Sequence, residues 1–181
     1  MLERYAARQP DELECVERIR ALVEAHDDCF DRRCLPGHVT ASAWIVSADD
    51  GRCLLTHHRK LERWLQLGGH ADGDPDPLAV ALREAREESG MEHFEVLSVD
   101  AAGEPIPIDV DVHVIPARKD EPEHEHHDVR FLLRARAGQV LRASDESLDL
   151  RWLEPERLAD LAADESVLRM ARKAPFFLRG A

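Results

Sequence analysis

Long apolar runs are missing from this 181-residue chain. No stretch approaches the roughly 18 consecutive apolar residues of a membrane span. The opening "MLERYAARQPDELECVERIR" is charged throughout and lacks the apolar centre of a secretory signal, so a cytoplasmic location is the expectation. Positive charge is also scarce: 24 Lys+Arg against 37 Asp+Glu leave a net charge of −13. That balance speaks against nucleic acid and anionic membranes as partners, and it means that an anionic ligand needs a bridging cation. Cysteine is sparse as well. Cys15, Cys29, Cys34 and Cys53 form neither a C-x-x-C pair nor a disulfide framework. Cys29, Cys34 and His38 can be drawn as a zinc site, but the spacing is loose and no fourth ligand is evident, so reduced structural thiols are expected.

What is present suits one globular domain, with 44% hydrophobic and 34% charged residues. Residues 11–26 carry an apolar stripe of Leu13, Val16, Ile19, Leu22 and Val23 at helical spacing. "VTASAWIV" (39–46) reads as a buried strand, with "RCLLTHH" (52–58) as its hairpin partner across "ADDG". "RWLQL" (63–67) is a short extended piece, and "FEVLSVD" (94–100) a further strand. In "IPIDVDVHVIP" (106–116), Ile106, Ile108, Val110, Val112 and Val114 fall on one face, and Asp109, Asp111 and His113 on the other. "HEHHDVRFLLRARA" (124–137) is its antiparallel partner, "LDLRWL" (148–153) another strand, and "EPERLADLAAD" and "ESVLRMARKA" closing helices. No repeat, low-complexity tract or linker divides the chain. Strands interleaved with helices predict an α/β fold, a mixed sheet covered by helices.

"LGGHADGDPDPLAVALREAREESGM" (67–91) concentrates the chemistry. Asp76 followed by Pro77 is a helix start, and Gly90 a natural stop. Leu78, Ala81, Leu82 and Ala85 step along the core side. Glu84, Glu87 and Glu88 stand at i, i+3 and i+4, so their carboxylates share one patch, with Arg83 four residues before Glu87 and able to pair with it. Three such carboxylates repel one another unless a cation lies among them, and hard oxygen donors suit Mg²⁺ or Mn²⁺. The same composition also describes an ordinary surface helix laced with ion pairs. Gly68 and Gly69 tilt the balance toward a ligand site, because they allow the backbone close approach.

This stretch resembles the Nudix box, G-x5-E-x7-R-E-U-x-E-E-x-G-U, with U aliphatic. Gly69, Arg83, Glu84, Glu87, Glu88 and Gly90 fall on six of its seven fixed positions, and Ala85 and Met91 on aliphatic ones. The order of elements over most of residues 38–175 is also similar to Nudix domains. The resemblance implies an α/β/α sandwich around a mixed β-sheet, with residues 1–37 as a helical extension packed on a domain of residues 38–181. It implies a Nudix hydrolase, a metal-dependent pyrophosphohydrolase that cleaves a nucleoside diphosphate linked to another moiety. Glu84, Glu87 and Glu88 would be both catalytic residues and the ligands of Mg²⁺ or Mn²⁺, with Gly68, Gly69, His70 and Arg83 at the substrate. Glu146, in "SDESLDLRW", is the first candidate for a general base, followed by Glu123 and Glu125. Families of this kind commonly form homodimers. The departure is Pro75, which stands where the box has its first glutamate; Asp76 is expected to compensate by capping the helix, leaving metal binding intact and loop geometry altered.

The histidine-rich hairpin is the second cluster. By alternation His124, His126, Asp128 and Arg130 share a face, and pairing with 106–116 adds Asp109, Asp111 and His113. Arg130 is then a candidate phosphate contact, and His126 a candidate substrate donor or second metal ligand; a solvated polar face is the plainer alternative. His57 and His58 read as surface residues, and Trp64 and Phe131 as candidates for base stacking. Isopentenyl diphosphate isomerases share the Nudix fold and bind metal through histidines with counterparts here in "PGHVTASAW" and "LGGH", His38 and His70. Gly68, however, stands where those isomerases resemble one another in a catalytic cysteine, and their box is degraded. A non-catalytic nucleotide-sensing Nudix module is the other alternative, although a pure binder has no need of three mutually repelling acids.

Overall fold

The run after Pro36, small and apolar apart from His38, becomes β1 (Gly37–Val46), buried along its whole length, as a central strand covered on both faces must be. In this computed structural model, which describes residues 1–118, 121–161 and 164–178, β1 organises a mixed eight-stranded sheet. It pairs in parallel with β7 (His124–Ala135) from Gly37↔Glu125 to Val46↔Arg134. On its other side it pairs antiparallel with β4 (Leu67–His70) and, at its end, with β2 (Cys53–His58). β2 also holds β3 (Arg63–Leu65) and β8 (Ser147–Leu153), while β7 holds β6 (Asp109–Ile115) and β5 (Phe94–Val96). The expected hairpin of 39–46 with 52–58 is therefore brief, only Ile45↔Leu54 and Val46↔Cys53, and β2 pairs mainly with β8.

Strand alternation sends β1 side chains into two separate layers. Ala41, Ala43 and Ile45 meet Val80, Ala81 and Ala85 of α3 (Pro77–Ser89), and Val16 and Ile19 of α2 (Leu13–Ala25). Trp44 and Val46 face Val167, Met170 and Ala174 of α4 (Glu165–Leu178). Helices thus cover both faces of the sheet, the α/β/α sandwich implied by the resemblance. Tyr5, on α1 (Leu2–Arg8), joins the same core as α3. No described helix is long and apolar enough to cross a membrane.

Several expectations need adjusting. Leu13 and Val23 of the α2 stripe are exposed, because the helix buries a narrower arc at Val16, Ile19 and Leu22. On α3 the fully buried residues are Val80, Ala81, Ala85 and Ser89, with Leu78 and Leu82 only half-buried. At 3.6 residues per turn, that arc takes in Glu84 and Glu88. Ile106 and Ile108 enter the core ahead of β6 rather than within it. The expected strand 94–100 stops at Val96, and "PERLADL" forms a 3-10 helix over Pro155–Leu161.

Candidate active site

The loop from β4 into α3 is built by aspartates. The Asp76 carboxylate accepts the N–H groups of Leu78 at 3.0 Å and Ala79 at 3.3 Å, and Pro77 opens the helix without wasting a donor. The Asp74 carboxylate in turn accepts the Asp76 N–H at 2.9 Å. Pro75 lies exposed between them. Gly90 closes the helix at φ 68°, a left-handed conformation that favours glycine.

Both glycines of β4 stand under close neighbours. A Cβ on Gly69 would meet the end of the Glu84 side chain from α3, its carboxyl carbon at 2.6 Å, and one on Gly68 would meet β1, with the Ala41 carbonyl at 2.7 Å. The Gly68 N–H points to Glu88 Oε1 at 3.5 Å. Arg83 does not pair with Glu87, as helical spacing suggested. Its Nη2 donates to the His70 carbonyl at 2.6 Å and to Glu84 Oε1 at 2.8 Å. The reason is competition: the His70 carbonyl at the end of β4 and the adjacent Glu84 offer the guanidinium two acceptors at once.

The electrostatics are those of crowded acids. Burial raises the Glu84 pKa, opposed by Arg83 and reinforced by Glu87 and Glu146. Burial and then Glu84 push Glu88 up to about 8, opposed by the Gly68 N–H and reinforced by Glu146 and Glu87. Among the described residues Glu84 has Arg83 as an ion-pair partner, and no cation pairs with Glu88. Glu146 is exposed, in the loop before β8, and its charge reaches both buried glutamates. Arg59 holds that loop, donating its backbone N–H to the Glu146 carbonyl at 2.8 Å and its guanidinium to the carbonyls of Asp145 and Ser147.

The opposite face of the strands carries a different group. Register sets His38 beside His126 across β1–β7, and His113 beside His126 across β6–β7. His70 turns its ring into this group, 5.1 Å from His38 and 5.2 Å from His126 between centroids. Burial, followed by His70 and His124, brings His38 down to about 4, and burial with the surrounding rings brings His126 to about 2. The zinc drawn from Cys29, Cys34 and His38 has no such geometry: His38 turns to His70 and His126, while Cys34 lies with His26 and Asp28. All four cysteines are free thiols.

Further along that face Arg130 is buried, which corrects its reading as a phosphate contact. Its guanidinium is bound to Asp128 at 2.7 Å, Asp109 at 2.9 Å and Asp111 at 3.1 Å. Asp128 also accepts the hydroxyls of Thr40 and Ser42, and Asp109 is bound by Arg169 and Lys173 of α4. The hub at Asp109 was missed in the sequence. The only signal was its place in an alternating strand, which does not say that α4 will cover the polar face. Phe131 is wholly buried and unavailable for stacking on a base. Trp64 is half-buried, stacked on His57 at 5.1 Å with Arg151 over its ring.

A mixed sheet between helices, with a glycine loop running into a helix whose acids converge on it, defines an α/β enzyme architecture built around a carboxylate site. The NUDIX domain model matches residues 36–173, and the chain belongs to that family, as an enzyme of its pyrophosphohydrolase class. Members of the class generally use divalent metal ions. Similar solved structures include a NUDIX-family hydrolase from Clostridium perfringens, 26% identical over 78% of this chain and 97% of that one, TM-score 0.61. An Ap4A hydrolase from C. elegans is 19% identical over 79% of this chain and 98% of its own, TM-score 0.61. The dihydroneopterin triphosphate pyrophosphohydrolase of E. coli is 16% identical over 75% and 92%, TM-score 0.56. No curated protein matches the chain.

Proposed function

We propose that this chain hydrolyses a diphosphate bond in a nucleoside diphosphate linked to a second group, and that it does so with Mg²⁺ or Mn²⁺. The observation that carries this reading is the half-buried pair Glu84 and Glu88, with Glu88 pushed up to about 8 by burial and by its acidic neighbours. Held by these residues, a divalent cation would remove the repulsion and let both ionise. The donor set of hard carboxylate oxygens fits Mg²⁺ or Mn²⁺, with Glu84, Glu87 and Glu88 as the residues that would hold it. When bound, the ion neutralises the diphosphate and makes water a usable nucleophile at neutral pH.

The chain's own residues do the remaining work. Gly69 leaves room for the Glu84 carboxyl group against β4, and Gly68 lets β4 lie close to Ala41 and Ser42 of β1. Arg83 is a positioning residue that ties Glu84 to the His70 carbonyl. Glu146, on the solvent side of the same acids, takes the proton as general base. The Ap4A hydrolase and the dihydroneopterin triphosphate pyrophosphohydrolase that share the fold are named for phosphate-linked nucleoside or pterin substrates, which supports the substrate class without selecting its member.

The test is a product assay over a panel of nucleoside triphosphates, dinucleoside polyphosphates and nucleoside diphosphate sugars, with Mn²⁺ or Mg²⁺. Turnover of at least one diphosphate is expected, and its abolition in Glu87→Gln and Glu88→Gln proteins that keep the wild-type fold. Binding of a nucleotide without turnover of any panel member would replace the hydrolase by a sensing module. Conversion of isopentenyl diphosphate without phosphate release would replace it by an isomerase.

A further inference from the structure

We propose that His38, His70 and His126 form a second metal site, a three-histidine centre for a zinc-class ion, separate from the carboxylates of α3. The three residues come from three strands, and one ring nitrogen of each lies within 4.8 Å of the others. The His38 and His126 rings are 4.8 Å apart. His38 is entirely buried, and neither of its ring nitrogens makes a hydrogen bond. Leaving a polar ring without a partner in the interior is costly. A ring nitrogen turned toward two others finds its partner in a cation that accepts lone pairs.

The donor chemistry selects the ion. Imidazole nitrogen is borderline-soft and favours zinc and its first-row neighbours, whereas the α3 acids favour Mg²⁺ or Mn²⁺. Tetrahedral zinc with bonds of about 2.0–2.1 Å spaces its nitrogens about 3.4 Å apart, which modest ring rotations achieve from the present positions. Neighbouring rings hold the ligands in place. His124 stacks on His38 at 5.0 Å with its Nδ1 tied to the Pro122 carbonyl, and His113 lies edge-on to His126 with its Nδ1 on Asp111. Three protein ligands leave a fourth position for solvent or an anion, the open rather than the closed arrangement.

The two sites lie on opposite faces of one strand. In β4 the Gly69 position meets Glu84 on the α3 side, so alternation turns His70 the other way. Zinc binding by the histidines therefore does not depend on the acids, and its failure is distinguishable from failure of the hydrolase reading.

The experiment is titration of chelator-stripped protein with Co²⁺, then Zn²⁺, without substrate. Co²⁺ is expected to give the intense visible bands of a four-coordinate nitrogen site at one ion per chain, and Zn²⁺ to displace it. The bands persist in a Glu84→Gln/Glu88→Gln protein. They disappear in His70→Asn and in His126→Asn, with zinc affinity down by more than the roughly 100-fold that outer-shell changes cost. Equal melting temperatures of the chelator-treated proteins show that both variants fold. Bands that survive both histidine substitutions, that vanish with the glutamates, or that never form overturn the site.

Discussion

The carboxyl group of Glu84 occupies the space that a side chain on Gly69 would need: a Cβ there would meet its carbon at 2.6 Å and its oxygens at 2.7 and 2.8 Å. An added methyl group displaces the end of a flexible side chain, which spares the fold but moves the carboxylate. Gly69→Ala is therefore expected to melt close to the wild type while its kcat drops on the order of 100-fold, as misplacement by about 1 Å does elsewhere. Melting curves and steady-state kinetics in Mn²⁺ check this, and wild-type kcat would show that Glu84 needs no fixed seat.

Asp76 is expected to supply in this chain what the loop lacks at Pro75. Its carboxylate caps two N–H groups at the start of α3, so Asp76→Ala should cost about 1 kcal/mol, the usual loss for a removed cap. The start of α3 also sets the height of Glu84 over β4, so activity should fall with it. Urea unfolding and the assay above measure both effects. A variant unchanged in stability and in rate would mean that Asp76 does not compensate for Pro75.

Periodicity was enough to recover α3, β1 and the pairing of β6 with β7, because one alternation pattern places Asp109, Asp111 and His113 opposite Arg130, Asp128 and His126. Which faces would be covered was not legible. The arginine on that hairpin looks the same in sequence whether it meets solvent or Arg169 and Lys173 come down on its partners from α4. Phe131 misled for the same reason. Arg83 was misassigned because a helical wheel contains Glu87 but not the His70 carbonyl, which belongs to another element. The joining of His38, His70 and His126 needs a crossover pair and a β4 edge, neither of which periodicity can report.

Arg130 holds Asp109 and Asp128 in the interior, so its removal is a stability event before it is a binding event. Arg130→Met leaves those carboxylates undercompensated and should cost on the order of 3–5 kcal/mol, with KM unchanged for the fraction that stays folded. A raised KM at unchanged stability would restore the phosphate-contact reading.

The acid limb of stability follows from the same network. Burial opposes ionisation of Asp109, but hydrogen bonds from Arg169 and the charges of Arg130, Lys173 and Arg169 outweigh it and hold the pKa below its ordinary value. A carboxyl depressed in the fold contributes stability that is complete above its unfolded pKa of about 3.9. It loses that contribution as pH falls through the lower folded value. Stability should therefore decline below about pH 4, and Asp109→Asn should be less stable at neutral pH with a shallower acid decline. Denaturant midpoints across pH test this, and an unchanged acid slope would remove Asp109 from the account.

Glu146 is exposed, yet its charge is felt at Glu84 and Glu88, which places a solvent-accessible carboxylate beside the buried acids. Its loop is fixed through backbone carbonyls by Arg59, not through the Glu146 side chain, so Glu146→Gln should leave stability unchanged. As general base it should contribute on the order of 10²–10⁴-fold to kcat, and the variant should keep its KM while losing the acidic limb of the kcat–pH profile. Removing its negative charge also lessens the attraction for a cation at Glu84 and Glu88, so kcat is compared at saturating Mn²⁺. A kcat within about twofold of wild type, far short of a general-base effect, would take the base role away from Glu146.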